Sequence, residues 1–236
     1  MERKKYVIVV AGGRGERMGA AVPKQFLLLG GIPILQRSIN AFVEAVPDAK
    51  IITVLPSDQI EEWKTLCCRY AFDTVPQIVV PGGITRFHSV KNALAKVPDG
   101  AIVAVHDGVR PFPGKDFLRG LFEKISKGNP VTPDGRPAGT PAIRALIPCL
   151  AVTDTIHNTA GPDPDRSTLL AAQTPQLFLS EGIKRAYKSG YDTSFTDDAS
   201  VAAANGMPLS FTEGERLNIK ITTPEDLALA EKLLRF

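Results

Sequence analysis

The sequence predicts an α/β fold with a doubly wound, mostly parallel sheet. Strand-like and helix-like patterns alternate through residues 6–112, the order that a parallel sheet with covering helices requires. The first strand-like run, residues 6–11, is continuously apolar, as expected of a strand buried on both faces. A glycine-rich segment follows it directly. Because such sheets bind ligands at the carboxyl ends of their strands, we expect the site in the loops after Ala11, Val80 and His106.

Length and composition suit one domain over residues 1–236 and argue against two classes of partner. The chain has 236 residues, 44% of them hydrophobic, and length over about 150 is a soft guide to domain number. With 28 basic and 25 acidic residues, the net charge of +3 is too balanced to indicate a nucleic acid partner. No segment approaches the roughly 18 apolar residues of a membrane span. Arg14, Arg17 and Lys24 nevertheless form a local basic cluster.

The cysteines and the first residues indicate a cytoplasmic protein. Cys67, Cys68 and Cys149 are odd in number, two are adjacent, and their spacing is not that of a metal site, so we expect reduced thiols. A basic start precedes residues 6–11, but that apolar run is shorter than the roughly 7–15 residues of a signal-peptide core. We interpret it as the first strand.

Three helices and three further strands are expected before residue 112. In the first helix, apolar pairs from Ile34/Leu35 to Phe42/Val43 share one face, and Pro33 takes a favoured first position. The second begins with Ser-Asp and acidic residues, and the third aligns its apolar residues on one face. The predicted strands cover residues 50–56, 77–83 and 101–112, and the helices 33–45, 57–70 and 85–97.

The second half of the chain is less regular. Residues 127–145 are rich in proline and glycine, which predicts a loop, and we assign no function to the part from residue 129 onward. Residues 146–156 return to strand character. Residues 157–178 are first polar and then apolar, which suits a turn between two extended arms.

Two helices are expected near the C-terminus. A short one covers residues 196–206, with Thr196 as its N-cap. The last, residues 222–236, has Thr223 as its cap, Pro224 at its first position, acidic residues in its first turn and basic residues at its end.

The glycine-rich segment fits neither of two common phosphate-binding motifs. Gly13 and Gly15 match the start of the dinucleotide fingerprint, but Met18 stands at its third glycine. The P-loop motif has a glycine directly before its lysine, whereas Pro23 precedes Lys24. Bare backbone amides beside three basic residues still favour a polyphosphate site over a plain tight turn.

Several segments, in order along nearly the whole chain, resemble one family. They read "AGGRGERM…PKQFLLLGG", "PGGITRFHSV", "VHDGVRPF", "VTDTI…DRSTLLAAQTPQLF" and "FTDDASV…NIKITTPEDLALAE". Together they resemble the 2-C-methyl-D-erythritol 4-phosphate cytidylyltransferases. The resemblance implies a Rossmann-like fold with a protruding β-arm at about residues 151–172, through which two chains form a homodimer.

The resemblance implies a nucleotidyltransferase that joins CTP and 2-C-methyl-D-erythritol 4-phosphate. The products are 4-diphosphocytidyl-2-C-methyl-D-erythritol and pyrophosphate, in non-mevalonate isoprenoid precursor biosynthesis. Mg²⁺ would bridge the phosphates and take most of its ligands from them and from water. The attacking phosphate monoester is already mostly a dianion near neutral pH, since its second pKa is about 6. The protein must therefore handle anions rather than supply a general base.

The resemblance assigns catalytic roles to four basic residues: Arg17, Lys24, Arg166 and Lys220. The first two would stabilise the transition state. The residues expected to bind the nucleotide are Ala11, Gly12, Gly13, Gly15, Lys24, Gly83, Ser89 and Asp107.

The same resemblance assigns a second set to methylerythritol phosphate: Asp107, Arg110, Thr155, Arg166, Thr196 and Lys220. Asp107 would also be the metal ligand. Arg166 and Lys220 would position the substrate phosphate. Because Arg166 belongs to the arm, it would complete the site of a second subunit, so that the two chains share their active sites.

Some of these residues also fit a structural interpretation. Asp107 suits a turn before Gly108, and Thr196 suits a helix cap. Asp197 and Asp198 fit the acidic first turn of a helix better than a metal pair. The histidines lack a metal-binding spacing and are expected to be structural: His88, His106 and His157.

Two other functions compete with the first. A ribitol 5-phosphate cytidylyltransferase shares the loop, "HD..RP" and "QTPQ", but "VTDTI", "DRS.L" and "TDDAS" favour methylerythritol phosphate. An inert nucleotide-binding regulator would need no substrate-side pair such as Arg166 and Lys220. Ile84 departs from the family, which often has an acidic residue there, so that contact is expected to be absent.

Overall fold

The computed structural model describes residues 3–13, 22–128 and 143–235. Within them the strands are β1 (Lys5–Val10), β2 (Leu28–Leu29), β3 (Ile32–Pro33), β4 (Lys50–Leu55), β5 (Gln77–Pro81), β6 (Ile102–Asp107), β7 (Ala145–Ala151), β8 (Leu170–Ala172), β9 (Gln176–Leu179) and β10 (Ser210–Glu213). The α-helices are α1 (Ile34–Ala45), α2 (Ile60–Arg69), α3 (Arg86–Leu94), α4 (Lys115–Lys127), α5 (Ser180–Ala186), α6 (Asp198–Ala204) and α7 (Pro224–Leu233). No helix in these ranges has the length and apolar content to span a membrane.

The main sheet confirms the predicted α/β class. Its order is β10-β7-β9-β6-β1-β4-β5, with β8 paired to β7. Strands β5, β4, β1 and β6 are mutually parallel, whereas β9 runs antiparallel to β6 and β7. The chain builds outward from β1 to β5 and then crosses to the other side of β1 to form β6. At this switch point the carboxyl ends of β1 and β6 lie side by side, with Val10 paired to Asp107.

Both faces of the central strands are buried, which explains their continuous apolar sequence. In β1, Tyr6 and Ile8 belong to one hydrophobic cluster, and Val7 and Val9 belong to the cluster on the opposite face. All four side chains are at most 5% exposed. A strand covered by helices on both sides has no solvent face that would require polar residues.

Several boundaries differ from the predictions because local patterns compete. Pro33 ends the β2–β3 hairpin and stands just before α1 rather than at its first position. Residues 57–59 form a 3-10 turn ahead of α2, without a side-chain cap from Ser57. Helices α4 and α5 and strand β10 were not expected from the sequence, although α4 has a strongly amphipathic pattern.

The helix caps near the C-terminus gave one confirmed prediction and one wrong one. Thr223 caps α7 and exchanges hydrogen bonds with Asp226, as the sequence indicated. Thr196 does not cap α6. Asp197 does, because its carboxylate accepts from the Ser200 amide while the Ser200 hydroxyl lies against the Asp197 amide.

The segment expected to form a dimerisation arm is mostly exposed. After β7 the chain runs through exposed residues and returns as β8, antiparallel to β7. Ile156 and Leu170 are 41% and 49% exposed. The use of this segment in dimerisation stays a prediction.

Candidate active site

A cavity of about 270 Å³ opens at the carboxyl ends of β1 and β6. It is bordered by the end of β1, the turn after β5, the end of β6 and the segment before α7: Val10, Ala11, Gly12, Gly13, Lys24, Gln25, Gly83, Ile84, Thr85, Arg86, Ser89, Asp107, Val109 and Lys220. Seven of the eight residues predicted to bind nucleotide, Asp107 among them, therefore border one cavity, and so does Lys220 from the substrate set. Gly15 and Arg17 lie outside the described residues, as do residues 129–142 of the Pro/Gly-rich stretch.

The glycine loop is held from behind by a buried glutamine. Gln25 Nε2 donates to the Ala11 carbonyl at 3.1 Å and to Gln59 Oε1 at 2.6 Å. These bonds fix the short 3-10 turn of Lys24–Phe26 against the end of β1. A Cβ atom on Gly13 would lie 3.9 Å from Lys24 Cε, so the lysine stem passes over the loop. Bare amides and an ammonium group are thus presented together, as a polyphosphate requires.

The turn after β5 owes its shape to Ser89. The Gly83 amide donates to Ser89 Oγ at 3.0 Å, and that hydroxyl donates to the Thr85 carbonyl at 2.9 Å. Any Cβ atom on Gly83 would collide with His88, so the turn requires glycine. Since its proton is already donated within the protein, Ser89 has only acceptor capacity left for a ligand. Ile84, at the cavity rim, is 91% exposed.

Asp107 is the charged centre of the site. Its Oδ2 lies 2.9 Å from Lys220 Nζ and 3.5 Å from Arg110 Nε, and its Oδ1 lies 3.7 Å from an Arg86 terminal nitrogen. Burial by itself raises the pKa of Asp107, but the charges of Arg86, Lys220 and Arg110 lower it well below its ordinary value. The group is therefore a carboxylate throughout the physiological pH range.

His106 fixes the backbone beneath this centre. It is fully buried, with Nε2 3.0 Å from the Arg110 carbonyl and Nδ1 3.2 Å from Thr174 Oγ1. The Asp107 amide also donates to Thr174 Oγ1, at 3.1 Å, so the threonine proton is directed at Nδ1 and the imidazole proton resides on Nε2. Burial lowers the pKa of His106 to about 4, which keeps the ring neutral. This arrangement accords with the structural role expected for it.

Arg110 supports the site from behind the cavity. One terminal nitrogen donates to the Asn218 carbonyl at 2.7 Å, and Asn218 Nδ2 donates to the Thr174 carbonyl at 2.8 Å. Burial lowers the pKa of Arg110, and Asp107 opposes that effect. The guanidinium thus ties the segment before Lys220 to the end of β6.

Four predicted substrate residues do not border the cavity in a single chain: Arg110, which lies behind it, and Thr155, Arg166 and Thr196. Thr155 and Thr196 are exposed, and the Thr196 amide donates to Ser200 Oγ at 3.1 Å. Arg166 lies in the exposed segment, where it donates to the Thr153 carbonyl at 2.9 Å. The contact of Arg166 with a phosphate in the site of a second subunit stays a prediction.

Asp197 and Asp198 do not form a metal pair. Asp197 caps α6 and accepts from Gln176 Nε2 at 2.7 Å, whereas Asp198 is buried against Arg86. In the described ranges no group of three histidine, cysteine or acidic residues is suited to a metal ion. The helix interpretation of this acidic pair is therefore the better one.

Sequence reasoning missed the roles of Arg86, Gln25 and Thr174. Arg86 lies within the "PGGITRFHSV" segment and Gln25 within "PKQF", so both belong to segments that carry the family resemblance, but neither was assigned a role. Their roles depend on Asp198 and Gln59, residues far away along the chain, and no local pattern reports such pairings.

Comparison with known proteins agrees on one family. Residues 6–236 match the family model for 2-C-methyl-D-erythritol 4-phosphate cytidylyltransferase. A protein of that name from Porphyromonas gingivalis is 44% identical over 239 aligned positions, covering 99% of both chains. The crystal structure of the Thermus thermophilus enzyme of that name is 29% identical, with a TM-score of 0.69, and covers 99% of this chain and 100% of that one. The Anaerococcus prevotii 4-diphosphocytidyl-2C-methyl-D-erythritol synthase structure has a TM-score of 0.78 at 24% identity and covers 99% and 97%, a likeness of fold.

Proposed function

The chain belongs to the 2-C-methyl-D-erythritol 4-phosphate cytidylyltransferase family, and we propose that CTP and methylerythritol phosphate react in the cavity beside Asp107. A phosphate oxygen of the substrate bonds to the α-phosphorus of CTP, the bond from that phosphorus to the β-phosphate oxygen breaks, and pyrophosphate leaves. One observation carries the assignment: the glycine loop, Lys24 and the Asp107–Lys220 pair all line the same cavity.

The reaction needs no proton acceptor from the protein. The attacking phosphate is mostly dianionic near neutral pH, since its second pKa is about 6. His106, the histidine adjoining the site, is buried and neutral with both ring nitrogens hydrogen-bonded inside the protein. What the protein supplies is in-line positioning of two anions and cationic stabilisation of the charge that develops on the leaving pyrophosphate.

On the nucleotide side, the amides of residues 11–13 and 15 would cradle the triphosphate. Lys24 and Arg17 would stabilise charge on the α-phosphate and on the leaving group. The turn held by Ser89 would receive the nucleoside, with Gly83 allowing close approach of the base. The bordering positions of Lys24 and this turn support these roles.

On the substrate side, Lys220 would hold the attacking phosphate and Asp107 would accept from the polyol hydroxyls. Arg110 would orient Asp107. Thr155 and Thr196 are further proposed contacts of the substrate. These roles are supported by the ionised state of Asp107 and by the 2.9 Å separation between its carboxylate and Lys220 Nζ.

The described residues suit a magnesium ion that takes most of its ligands from the substrate phosphates and water. They offer one lone pair of Asp107 Oδ1 as a hard oxygen ligand, which leaves the second lone pair for a substrate hydroxyl, and phosphate and water would supply the other ligands. Mg²⁺ bound in this way would neutralise triphosphate charge. We propose Asp107 as the protein ligand.

The functional unit we propose is a homodimer of single-domain chains in the cytoplasm. Arg166 would enter the partner's site on the arm of residues 151–172 and hold the substrate phosphate opposite Lys220. Exposed apolar residues on this arm support its burial in an interface. All three cysteines are free thiols, which suits a reducing compartment.

Pyrophosphate release tests the assignment. The purified chain should release pyrophosphate from CTP with methylerythritol phosphate and give a much lower kcat/KM with ribitol 5-phosphate. A higher kcat/KM with ribitol 5-phosphate would reverse the substrate assignment. If no pyrophosphate is released with either substrate, the enzymatic assignment is wrong and a nucleotide-binding regulator is favoured.

A further inference from the structure

Asp198 is a fully buried carboxylate whose two oxygens are both used inside the protein. Its Oδ2 lies 2.6 Å from an Arg86 terminal nitrogen, and its Oδ1 accepts from the Tyr187 hydroxyl at 2.6 Å. A buried charge is strongly unfavourable unless it is paired and hydrogen-bonded, and Asp198 meets both conditions. It does not border the cavity, so its effect on a ligand must pass through Arg86.

Arg86 stands between two carboxylates and favours one of them. The nitrogen that lies 2.6 Å from Asp198 Oδ2 is 3.7 Å from Asp107 Oδ1. Only the first distance is that of a hydrogen bond. Arg86 therefore contributes its charge to the Asp107 environment without occupying the Asp107 oxygen.

The two oxygens of Asp107 are consequently unequal. Oδ2 faces Lys220 and Arg110. None of the hydrogen bonds between described residues ends on Oδ1, which has only the more distant Arg86. Oδ1 retains full capacity to accept a hydrogen bond from a ligand.

We propose that Asp198 is a positioning residue that holds the Arg86 guanidinium away from Asp107 and thereby keeps Asp107 Oδ1 available to a substrate hydroxyl. Tyr187 satisfies the other Asp198 oxygen and so stabilises its burial. Its hydroxyl bonds Asp198, and its ring stacks on Phe87, the residue next to Arg86, with centroids 4.6 Å apart and planes 20° apart. This inference rests on the proposed function, because it assigns the Oδ1 acceptor to the polyol substrate.

The charge balance supports the direction of the effect. Arg86, Arg110 and Lys220 carry three positive charges against two negative charges on Asp107 and Asp198, a balance of +1. Without the Asp198 charge, Asp107 is the remaining carboxylate beside Arg86. The guanidinium would then move toward Oδ1 and compete with the substrate hydroxyl.

Asp198→Asn is the direct test, because asparagine keeps the volume and removes the charge. We expect kcat/KM for methylerythritol phosphate to fall about 10- to 100-fold, the usual effect of losing a hydrogen bond to a charged acceptor. The KM for methylerythritol phosphate should rise more than the KM for CTP. Adding Arg86→Met to this variant should restore much of the lost kcat/KM, because the competing guanidinium is gone.

Tyr187→Phe separates positioning from stability. This control keeps both charges and the ring stack but leaves a buried Asp198 oxygen without its hydroxyl partner, so it should lower the melting temperature while kcat/KM stays close to wild type. If Asp198→Asn fails to fold, the double variant Arg86→Met/Asp198→Asn replaces it, since neither buried charge is left unpaired. Its kcat/KM for methylerythritol phosphate should fall less than about 10-fold, because the guanidinium that would compete for Oδ1 is gone.

Three results would overturn the inference: an unchanged kcat/KM in folded Asp198→Asn, an equal loss in Tyr187→Phe, or a double variant with no recovery in kcat/KM and a strongly raised KM. The wild-type reaction is measured first. If the wild type releases no pyrophosphate, the proposed function fails; if it is active and Asp198→Asn is equally active, only this inference fails.

Discussion

Lys220 Nζ lies 2.9 Å from Asp107 Oδ2, although the two residues belong to opposite halves of the chain. The backbone brings them together. The Ile221 amide donates to the Val109 carbonyl at 2.9 Å, which fastens the segment before α7 to the turn after β6. The partly exposed ammonium group can therefore serve a bound phosphate while its position is fixed by a buried carboxylate.

Lys220→Ala should lower kcat/KM for methylerythritol phosphate about 100-fold or more, the usual effect of removing one aimed group from a transition state. The chain should stay folded, because Arg86 and Arg110 continue to compensate Asp107. Steady-state kinetics with pyrophosphate detection measure the effect. Lys184→Ala, which removes an ion pair with Asp99 away from the cavity, is the control. Equal activity of both variants would contradict the substrate-side role of Lys220.

Lys24→Ala should lower kcat about 100- to 1,000-fold, because a cation beside the glycine loop stabilises charge on the triphosphate. Circular dichroism and the melting temperature should change little, since Gln25 and Phe26 hold the turn. Lys64→Ala on α2 is the matched control, with an exposed lysine paired to Glu61. Turnover as fast as wild type in Lys24→Ala would show that its charge is not needed.

Mixing inactive variants tests the shared active site. If Arg166 serves the partner's site, mixed dimers of Arg166→Ala and Lys220→Ala contain one intact site, and random pairing restores about a quarter of all sites. Lys24→Ala mixed with Lys220→Ala should restore nothing, because both residues come from the same chain. No recovery in the first mixture, after subunit exchange is verified, would place Arg166 in its own subunit's site or in none.

Stability should fall with acid because of His106. Its folded-state pKa of about 4 lies below its ordinary value of 6.5, so the unfolded chain binds the proton first. Between pH 6.5 and 4 the protein should lose roughly 3 kcal/mol of unfolding free energy from this group, at about 1.4 kcal/mol per pKa unit. Urea unfolding across this range measures the slope.

His106→Gln should be less stable at pH 7 but should show a flatter decline toward pH 4, since no imidazole remains to be protonated on unfolding. His157→Gln, at an exposed histidine of the arm, is the control and should keep the wild-type slope. A wild-type slope in His106→Gln would mean that other groups cause the acid sensitivity.

Removal of divalent metal should abolish turnover, and Mg²⁺ should restore it. Asp107→Asn should lower kcat/KM while changing the Mg²⁺ concentration for half-maximal activity only a few-fold, because phosphate oxygens and water supply most of the ligands. The measurement is a magnesium titration at saturating CTP. A shift of about 100-fold or more in that concentration would make Asp107 the principal ligand and contradict this expectation.

The sequence predicted those parts of the site that depend only on residues close together along the chain. The apolar run of β1 indicated a strand buried on both faces, and the glycines after it indicated a phosphate loop; the strand is confirmed and Gly12 and Gly13 border the cavity. The cap of α7 was equally readable, since Thr223 and Asp226 interact within a single turn. At α6 the same reasoning chose Thr196 over its neighbour Asp197, because both residue types cap helices and only the backbone decides which one does.

The α/β class, the edge of the sheet that carries the site, and the basic and glycine residues available there could be predicted from the sequence, because periodicity and short motifs act over a few residues. The sharing of charges depends on the folded chain: Lys220 and Arg110 face one oxygen of Asp107, and Asp198 holds Arg86 away from the other. The Lys220–Asp107 and Arg86–Asp198 pairings join distant segments, and burial of the two carboxylates strengthens them, which no local pattern encodes.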